Sequence, residues 1–401
     1  MILFLVLTGY VAASHVGKVP PAIPLLRDDF NIGLVYSGWI VSAFSVVSAG
    51  FGLFFGATVD RLNYRNVAMA GLVLIGSLSL IGAAARSPEV LLVTRLGEGV
   101  GFVLCVVSIP PLIVRACRSR DQSKAFGLWG TYMPGGFSAM VIISPIFLAE
   151  NGWNGSWRIN GGISLAWAML FFALVPSAPP SNSTANTAKN GSVWRDLKTV
   201  LTSPGPLLMA TSFVGYSGMF LAVTAFLPVM LVTQNGLPLA TASLLTGIVI
   251  AANIAGNVAS GWVLAWGVPR PILLIVTIVI MFFCTLMIYQ PDLSMPWRIA
   301  MAVIFTGVGG LIPGALLSGA ANYAPSPALV ASSVGLMSQG AGIGLISGPP
   351  LLALVVGTAG TWSAAPIYTG AAACLTIVSA VGMMVVRARR QARNRRLQRS
   401  I

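Results

Sequence analysis

The chain has 401 residues, 56% of them hydrophobic and only 8% charged, with a mean hydropathy of +0.87. Soluble domains carry about a quarter charged residues, so a soluble globular protein is excluded. The formal net charge of +14 does not indicate a nucleic-acid binder, because seven of the 23 basic residues fall in one terminal tail.

A bilayer span needs ~20 mostly apolar residues. Twelve such segments follow in order, near 2–24, 33–57, 67–86, 90–114, 125–149, 158–177, 205–233, 239–265, 270–290, 297–321, 329–356 and 364–387. The first, MILFLVLTGYVAA onward, lacks a basic leading region and is expected to be a spanning helix rather than a cleaved leader. Turn residues at Gly236–Pro238 and Pro325–Pro327 separate later segments. Most of the 44 Gly and 25 Pro lie inside the apolar runs, as membrane helices tolerate. The fold class is therefore an all-α membrane protein of 12 transmembrane helices.

One long polar stretch, Ser177 to Lys198, is rich in Ser, Asn, Thr and Pro and reads as a linker. It divides the chain into an N-terminal six-helix half (1–177), a cytoplasmic linker (178–204), a C-terminal six-helix half (205–387) and a basic cytoplasmic tail (388–401). With both termini inside, the cytoplasmic segments hold 17 Lys and Arg and the outer loops hold 4. The positive-inside rule selects that orientation, here in a bacterial cytoplasmic (inner) membrane. Arg387, Arg389, Arg390, Arg393, Arg395, Arg396 and Arg399 suit contact with anionic lipids.

The informative residues are ionisable ones inside apolar helices: His15 and Lys18 in the first, Arg95 and Glu98 in the fourth. A charge at bilayer depth costs roughly 3 kcal/mol on insertion scales, so it persists only where it is paired or faces water. Each pair is spaced i, i+3, which puts both members on one helix face. At ~1.5 Å rise per residue, all four fall within about two helical turns in depth, so one site can hold them. Lys18 and Arg95 outweigh Glu98. A guanidinium fork and a compact ammonium complement an anionic solute. His15 is the only histidine and Glu98 the only acid in the apolar spans, so a proton-coupled process would load one of them. No G-x-x-x-x-G-K-[ST] run, metal-ligand spacing or covalent-catalysis constellation occurs. The expectation is therefore a non-enzyme without cofactor or bound metal.

The halves resemble each other at a constant offset of 208. Gly99-Val100-Gly101 returns as Gly307-Val308-Gly309, Gly127-Leu128 as Gly335-Leu336, Gly136 as Gly344 and Pro20 as Pro228. That fits two parallel repeats related by an axis along the membrane normal.

Twelve spans, a central linker and two motifs resemble the major facilitator superfamily. GATVDRLNYRNV, Gly56 to Val67, is similar to its loop between helices two and three through Gly56, Asp60, Arg61 and Arg65, with Asn63-Tyr64-Arg65-Asn66 replacing the usual basic run. RLGEGVG matches the fourth-helix Arg-x-x-x-Gly-x-Gly through Arg95, Gly99 and Gly101. GTYMPGG, Gly130 to Gly136, departs from the fifth-helix motif of proton antiporters in its sparse glycines. ASHVGKVPPAIPLLRDDF and SVGLMSQGAGIGLISGPPLL are most similar to the cyanate and nitroimidazole transporter group.

The resemblance implies two halves with pseudo-two-fold symmetry, and a cavity lined by the first, fourth, seventh and tenth helices. It implies a monomeric secondary carrier working by alternating access, here for proton-coupled uptake of a small anion. The alternative is a proton-antiport efflux carrier for drugs or a siderophore-like solute. The expected substrate-binding residues are Lys18, Arg95, His15, Tyr132, Tyr216, Asn253 and Gln339; Glu98 and His15 are expected to handle the proton. Asp60, Arg61 and Arg65 are expected to act as an intracellular gate.

Overall fold

The computed structural model describes residues 1–50, 63–118, 125, 128–176, 193–326 and 329–399, and every regular element among them is helical. Ten helices are long and apolar enough to cross a bilayer, and a shorter apolar helix runs Leu34–Gly50. One of the ten, Tyr132–Leu174, is 43 residues long and contains Gly152 at φ 62°, ψ −173°. That backbone geometry suits glycine alone and cannot lie within a helix, so the run comprises two spans. Counted this way, and with the shorter helix Leu34–Gly50, the described residues include all or part of each of the twelve expected spans. The sequence reading placed a loop of several residues between the fifth and sixth spans; one glycine makes the turn instead.

The second span is described from Leu34 to Gly50, and its expected continuation toward 57 lies outside the described residues. Part of the linker is helical, Val193–Thr202, and it seats Val200 against Ala210, Leu329 and Leu336. The last span does not stop near 387: a single helix runs Ala365–Arg399. Arg, Ala and Gln are good helix formers and no Gly or Pro interrupts them. Cations also suit a helix C-terminus.

The first span is broken, Ile2–Gly17 followed by Val19–Phe30. Pro20 and Pro21 supply no N–H, which leaves carbonyls one turn back without helical donors. Small residues let the spans approach closely. A side chain at Gly17 would meet Met140 Cβ at 2.8 Å, and one at Gly136 would meet the Tyr10 carbonyl. The seventh span, Pro204–Asn235, is 94% buried over its most apolar window, whereas the other nine long helices reach at most 61%. It is the central helix. The second span meets the eleventh, with Gly38 against the Pro349–Pro350 backbone and Ser42 Oγ donating to the Leu345 carbonyl at 3.1 Å. The fifth meets the eighth, with Gly247 against Ile142 and the Ser138 carbonyl.

The repeat extends from sequence to packing. A side chain at Gly99 would run into the Phe44 carbonyl, and a Cβ at Gly307 would lie 3.7 Å from that of Ala252. Both partners of the first contact therefore recur 208 residues later in the second. Gly136 packs on the first span and its counterpart Gly344 packs on the seventh.

Candidate functional site

The four intramembrane ionisable residues come together. His15, Lys18, Arg95 and Glu98 all have zero solvent exposure. Glu98 is the hub. Its Oε1 accepts from Lys18 Nζ at 2.8 Å, its Oε2 accepts from Arg95 Nη1, and that same oxygen lies 3.5 Å from His15 Nδ1. The i, i+3 spacing on the fourth helix joins Arg95 to Glu98 directly, as the sequence spacing requires.

Local backbone features place the other contacts. At the proline break of the first span, the His15 carbonyl accepts from Arg95 Nη1 at 2.9 Å. Arg95 Nε reaches the Ile40 carbonyl on the second span at 3.4 Å, and the guanidinium lies 4.7 Å from the Phe44 ring centroid. The third and sixth spans complete the shell. Lys18 Nζ donates to Ser79 Oγ at 2.8 Å, contacts His15 Nδ1 at 3.2 Å and sits 4.7 Å over the Trp157 ring. Ser79 Oγ donates to the Trp157 carbonyl at 2.8 Å, and His15 Nε2 meets Ser164 Oγ at 2.7 Å. One turn on, Ser14 Oγ donates to Asn160 Oδ1 at 2.9 Å.

Two cations share one carboxylate at zero solvent exposure, so the network carries a net positive charge with His15 neutral. Buried charges of this kind are held only by close pairing. Among the four ionisable side chains one nitrogen remains unused: Arg95 Nη2 is buried and has no hydrogen-bond partner among the described residues, as is also true of Trp157 Nε1 and Asn160 Nδ2 in the shell. An unsatisfied buried donor costs ~1–3 kcal/mol, more when charged, and an anion or carbonyl acceptor placed there would recover it.

The other expected site residues lie apart from this network. Asn253 Nδ2 donates to Tyr216 Oη at 3.2 Å and to the Thr306 carbonyl at 2.9 Å, while Asn257 Nδ2 donates to Asn253 Oδ1 at 2.8 Å. This neutral knot ties the seventh, eighth and tenth spans. Tyr132 stacks on Trp129 at 4.3 Å beside Gly9 of the first span. Gln339 Nε2 reaches the Gly50 carbonyl at 3.4 Å, across the contact of second and eleventh spans. Arg65 lies over the Phe172 ring at 4.6 Å, so this contact joins the third span to the sixth within the N-terminal spans. Asp60 and Arg61 lie outside the described residues.

Sequence reasoning missed Ser79, Trp157, Asn160 and Ser164. The last three are spaced i, i+3, i+7, one face of a helix, and that pattern was the available signal. A cavity of about 270 Å³ lined by Met1, Leu5, Leu112, Arg115, Ala116, Val175 and Pro176 shares no residue with the network.

Comparison with known proteins gives the same fold. A solved bacterial homolog of the human lysosomal transporter Spinster, inward-facing and occupied, superposes with a TM-score of 0.77 at 14% identity, covering 96% of this chain and 95% of that one. A point mutant of the nucleoside transporter NupG gives 0.76 at 15% identity, covering 96% and 99%. In sequence, the chain is 25% identical over 268 residues to the hexuronate transporter of Bacillus subtilis, 66% of this chain and 63% of that protein. It is 29% identical over 139 residues to the methyl viologen resistance protein SmvA of Salmonella typhimurium, 34% of this chain and 28% of that protein. The chain thus spans less than two thirds of the length of these two sequence relatives. The family model described as Major Facilitator Superfamily matches residues 2–333. With that match, and with ten helices long and apolar enough to cross the bilayer, the chain is a multi-pass integral membrane protein belonging to the Major Facilitator Superfamily.

Proposed function

We propose that the chain is a secondary transporter, not an enzyme, that takes up a small anionic solute by alternating access, coupled to protons. One observation carries this reading: Lys18 and Arg95 share the single carboxylate of Glu98 at zero exposure, and Arg95 Nη2 is left without a partner. A planar anion offers that guanidinium edge two acceptors. The hexuronate transporter supports the reading, since a hexuronate is a sugar carboxylate. So does the likeness of the first and eleventh spans to the cyanate and nitroimidazole group.

In this reading the two six-helix halves, 1–177 and 205–387, rock about the site, and Glu98 or His15 carries the proton. Tyr216 and Asn253 face the solute from the C-terminal half when it opens. The protein acts as a monomer in the bacterial cytoplasmic membrane with both termini cytoplasmic, and its terminal arginines rest on anionic lipid. A second reading, efflux of drugs, is favoured by the resistance proteins for methyl viologen, lincomycin and methylenomycin A among its relatives.

Thermal unfolding of the purified protein across a panel of small carboxylates, inorganic anions and apolar cations separates the two. A ligand at a hundred times its Kd adds ~2.7 kcal/mol of stability. Stabilisation by a carboxylate, lost in Lys18→Ala and Arg95→Ala together with uptake, supports the anion carrier. Near-normal uptake in both variants overturns it.

A further inference from the structure

An ammonium has three N–H donors and no acceptor. Lys18 Nζ has three polar neighbours within hydrogen-bond distance: Glu98 Oε1 at 2.8 Å, Ser79 Oγ at 2.8 Å and His15 Nδ1 at 3.2 Å. Ser79 directs its own hydroxyl proton to the Trp157 carbonyl, so it accepts from Lys18. His15 Nδ1 must accept as well. The ring hydrogen then resides on Nε2 and is donated to Ser164 Oγ at 2.7 Å. The contacts thus specify one tautomer of a neutral ring.

A proton added to Nδ1 cannot coexist with this arrangement, because Nδ1–H would then point at an N–H donor of Lys18. The alternative acceptor is already in place: Glu98 Oε2 stands 3.5 Å from Nδ1. We propose that His15 is the proton-carrying group of the network, and that its protonation turns one N–H of Lys18 away from the ring and pairs the imidazolium with Glu98 Oε2. The Nζ–H···Nδ1 bond breaks and an Nδ1–H···Oε2 bond forms, while Lys18 keeps Glu98 Oε1 and Ser79 Oγ and turns its third N–H toward an anion. The proton comes from water and stays on His15; no other bond changes. Ser79 and Ser164 are positioning residues that fix the tautomer from the third and sixth spans.

The charges facing His15 are Lys18 on its own helix and Arg95 and Glu98 on the fourth. The third and sixth spans present hydroxyls and the Trp157 ring, and the second presents the Ile40 carbonyl and the Phe44 ring. With His15 neutral the network holds one excess positive charge; with His15 protonated it holds two. Uncompensated charge in such a site is costly, and an anion offsets it. Linkage then requires that proton and anion each raise the affinity for the other, which is the condition for symport. Only this last step rests on the anion-carrier reading.

The switch is testable without any ligand. His15 is the only histidine and Lys18 is one of four lysines, so the full chain carrying ¹⁵N-labelled histidine and lysine gives few nuclear magnetic resonance signals. The probe is pH alone. Near neutral pH the single ring should carry its hydrogen on Nε2. On acidification the His15 ring and the Lys18 ammonium should shift together with one midpoint, and in His15→Asn or His15→Gln the Lys18 signal should stay fixed over that range. A hydrogen on Nδ1 at neutral pH, or a Lys18 signal indifferent to His15, overturns the proposal; both are read on the wild-type chain even where a variant fails to fold. Joint movement of the two signals in a protein that accumulates no anion retires the anion reading and leaves the switch. Anion accumulation with unchanged pH dependence in His15→Asn does the reverse.

Discussion

Replacing Glu98 by Gln keeps the side-chain shape and removes the carboxylate that Lys18, Arg95 and His15 converge on. At 2.8 Å and an effective dielectric of 20, the Lys18–Glu98 attraction alone is about 6 kcal/mol before desolvation is charged against it. Measured losses on removing one partner of a buried pair run about 3–5 kcal/mol, because the other charge is stranded. Glu98→Gln strands two cations at zero exposure. It should therefore lower the folded-to-unfolded ratio by about two to four orders of magnitude, at ~1.4 kcal/mol per tenfold. Lys18→Met should cost less, since Arg95 still neutralises Glu98. The decisive variant is the double one. Adding Lys18→Met to Glu98→Gln removes a stranded ammonium and should restore about 1–3 kcal/mol, the usual range of coupling between contacting residues. Thermal unfolding of the purified proteins, followed by fluorescence at one detergent concentration and scan rate, ranks the set. A double variant less stable than Glu98→Gln refutes the reasoning, because Lys18 would then be stabilising through packing rather than through charge.

Three further outcomes follow from the packing. Gly99→Ala drives a methyl into the Phe44 carbonyl and should cost ~1–3 kcal/mol, while Gly162→Ala, with nothing within 4 Å, should be neutral or slightly stabilising; paired melting curves check both. Trp153→Phe removes an indole N–H donated to Asp29 Oδ2 at 2.6 Å and should cost about 1.5–3 kcal/mol, measured against Asp29→Asn in a double-mutant cycle. Arg298→Ala abandons bonds to Asn235 Oδ1 at 2.9 Å and to the Gln290 and Pro291 carbonyls at 2.7 and 3.2 Å, so limited proteolysis should show earlier cleavage between Gln290 and Met295.

What the sequence made legible was hydropathy and charge. The spans are set by runs of about 20 apolar residues, and four charged or titratable side chains in such runs have few places to go except toward each other. Their contacts were legible because each pair is local in sequence, and a helix fixes i, i+3 geometry. The neutral members were not. Ser79 and Ser164 carry no charge penalty that distinguishes them from serines that bond their own helix, as Ser347 does with the Ile343 carbonyl at 2.8 Å. Tyr216, Asn253 and Gln339 illustrate the converse, because a polar side chain in a membrane helix satisfies itself with whichever neighbour is near. Here those neighbours are Thr306, Asn257 and Gly50. The break near Gly152 was legible from the polar run Glu150 to Arg158, but its one-residue length was not, because the polar residues on either side of Gly152 are themselves helical.

The repeat makes the placement of charge informative. At the offset of 208, the counterparts of His15, Lys18, Arg95 and Glu98 are Val223, Phe226, Val303 and Thr306. The ion pairs among the described residues all lie in the first and fourth spans. In the proposed switch, a proton-linked change starts in one repeat and must reach the other through packing. The second span is placed to transmit it: its Phe44 ring lies under the Arg95 guanidinium at 4.7 Å, its Ile40 carbonyl accepts from Arg95, and its opposite side meets Leu345 and Pro349–Pro350 of the eleventh. Phe44→Leu keeps an apolar side chain there and removes a cation–π contact worth up to ~2 kcal/mol when desolvated. Arg95 and Glu98 keep their direct bond in that variant. Solute-induced thermal stabilisation should survive while the rate of uptake falls, the signature of impaired movement rather than impaired binding. An uptake rate equal to that of the wild type would show that the second span moves independently of Arg95.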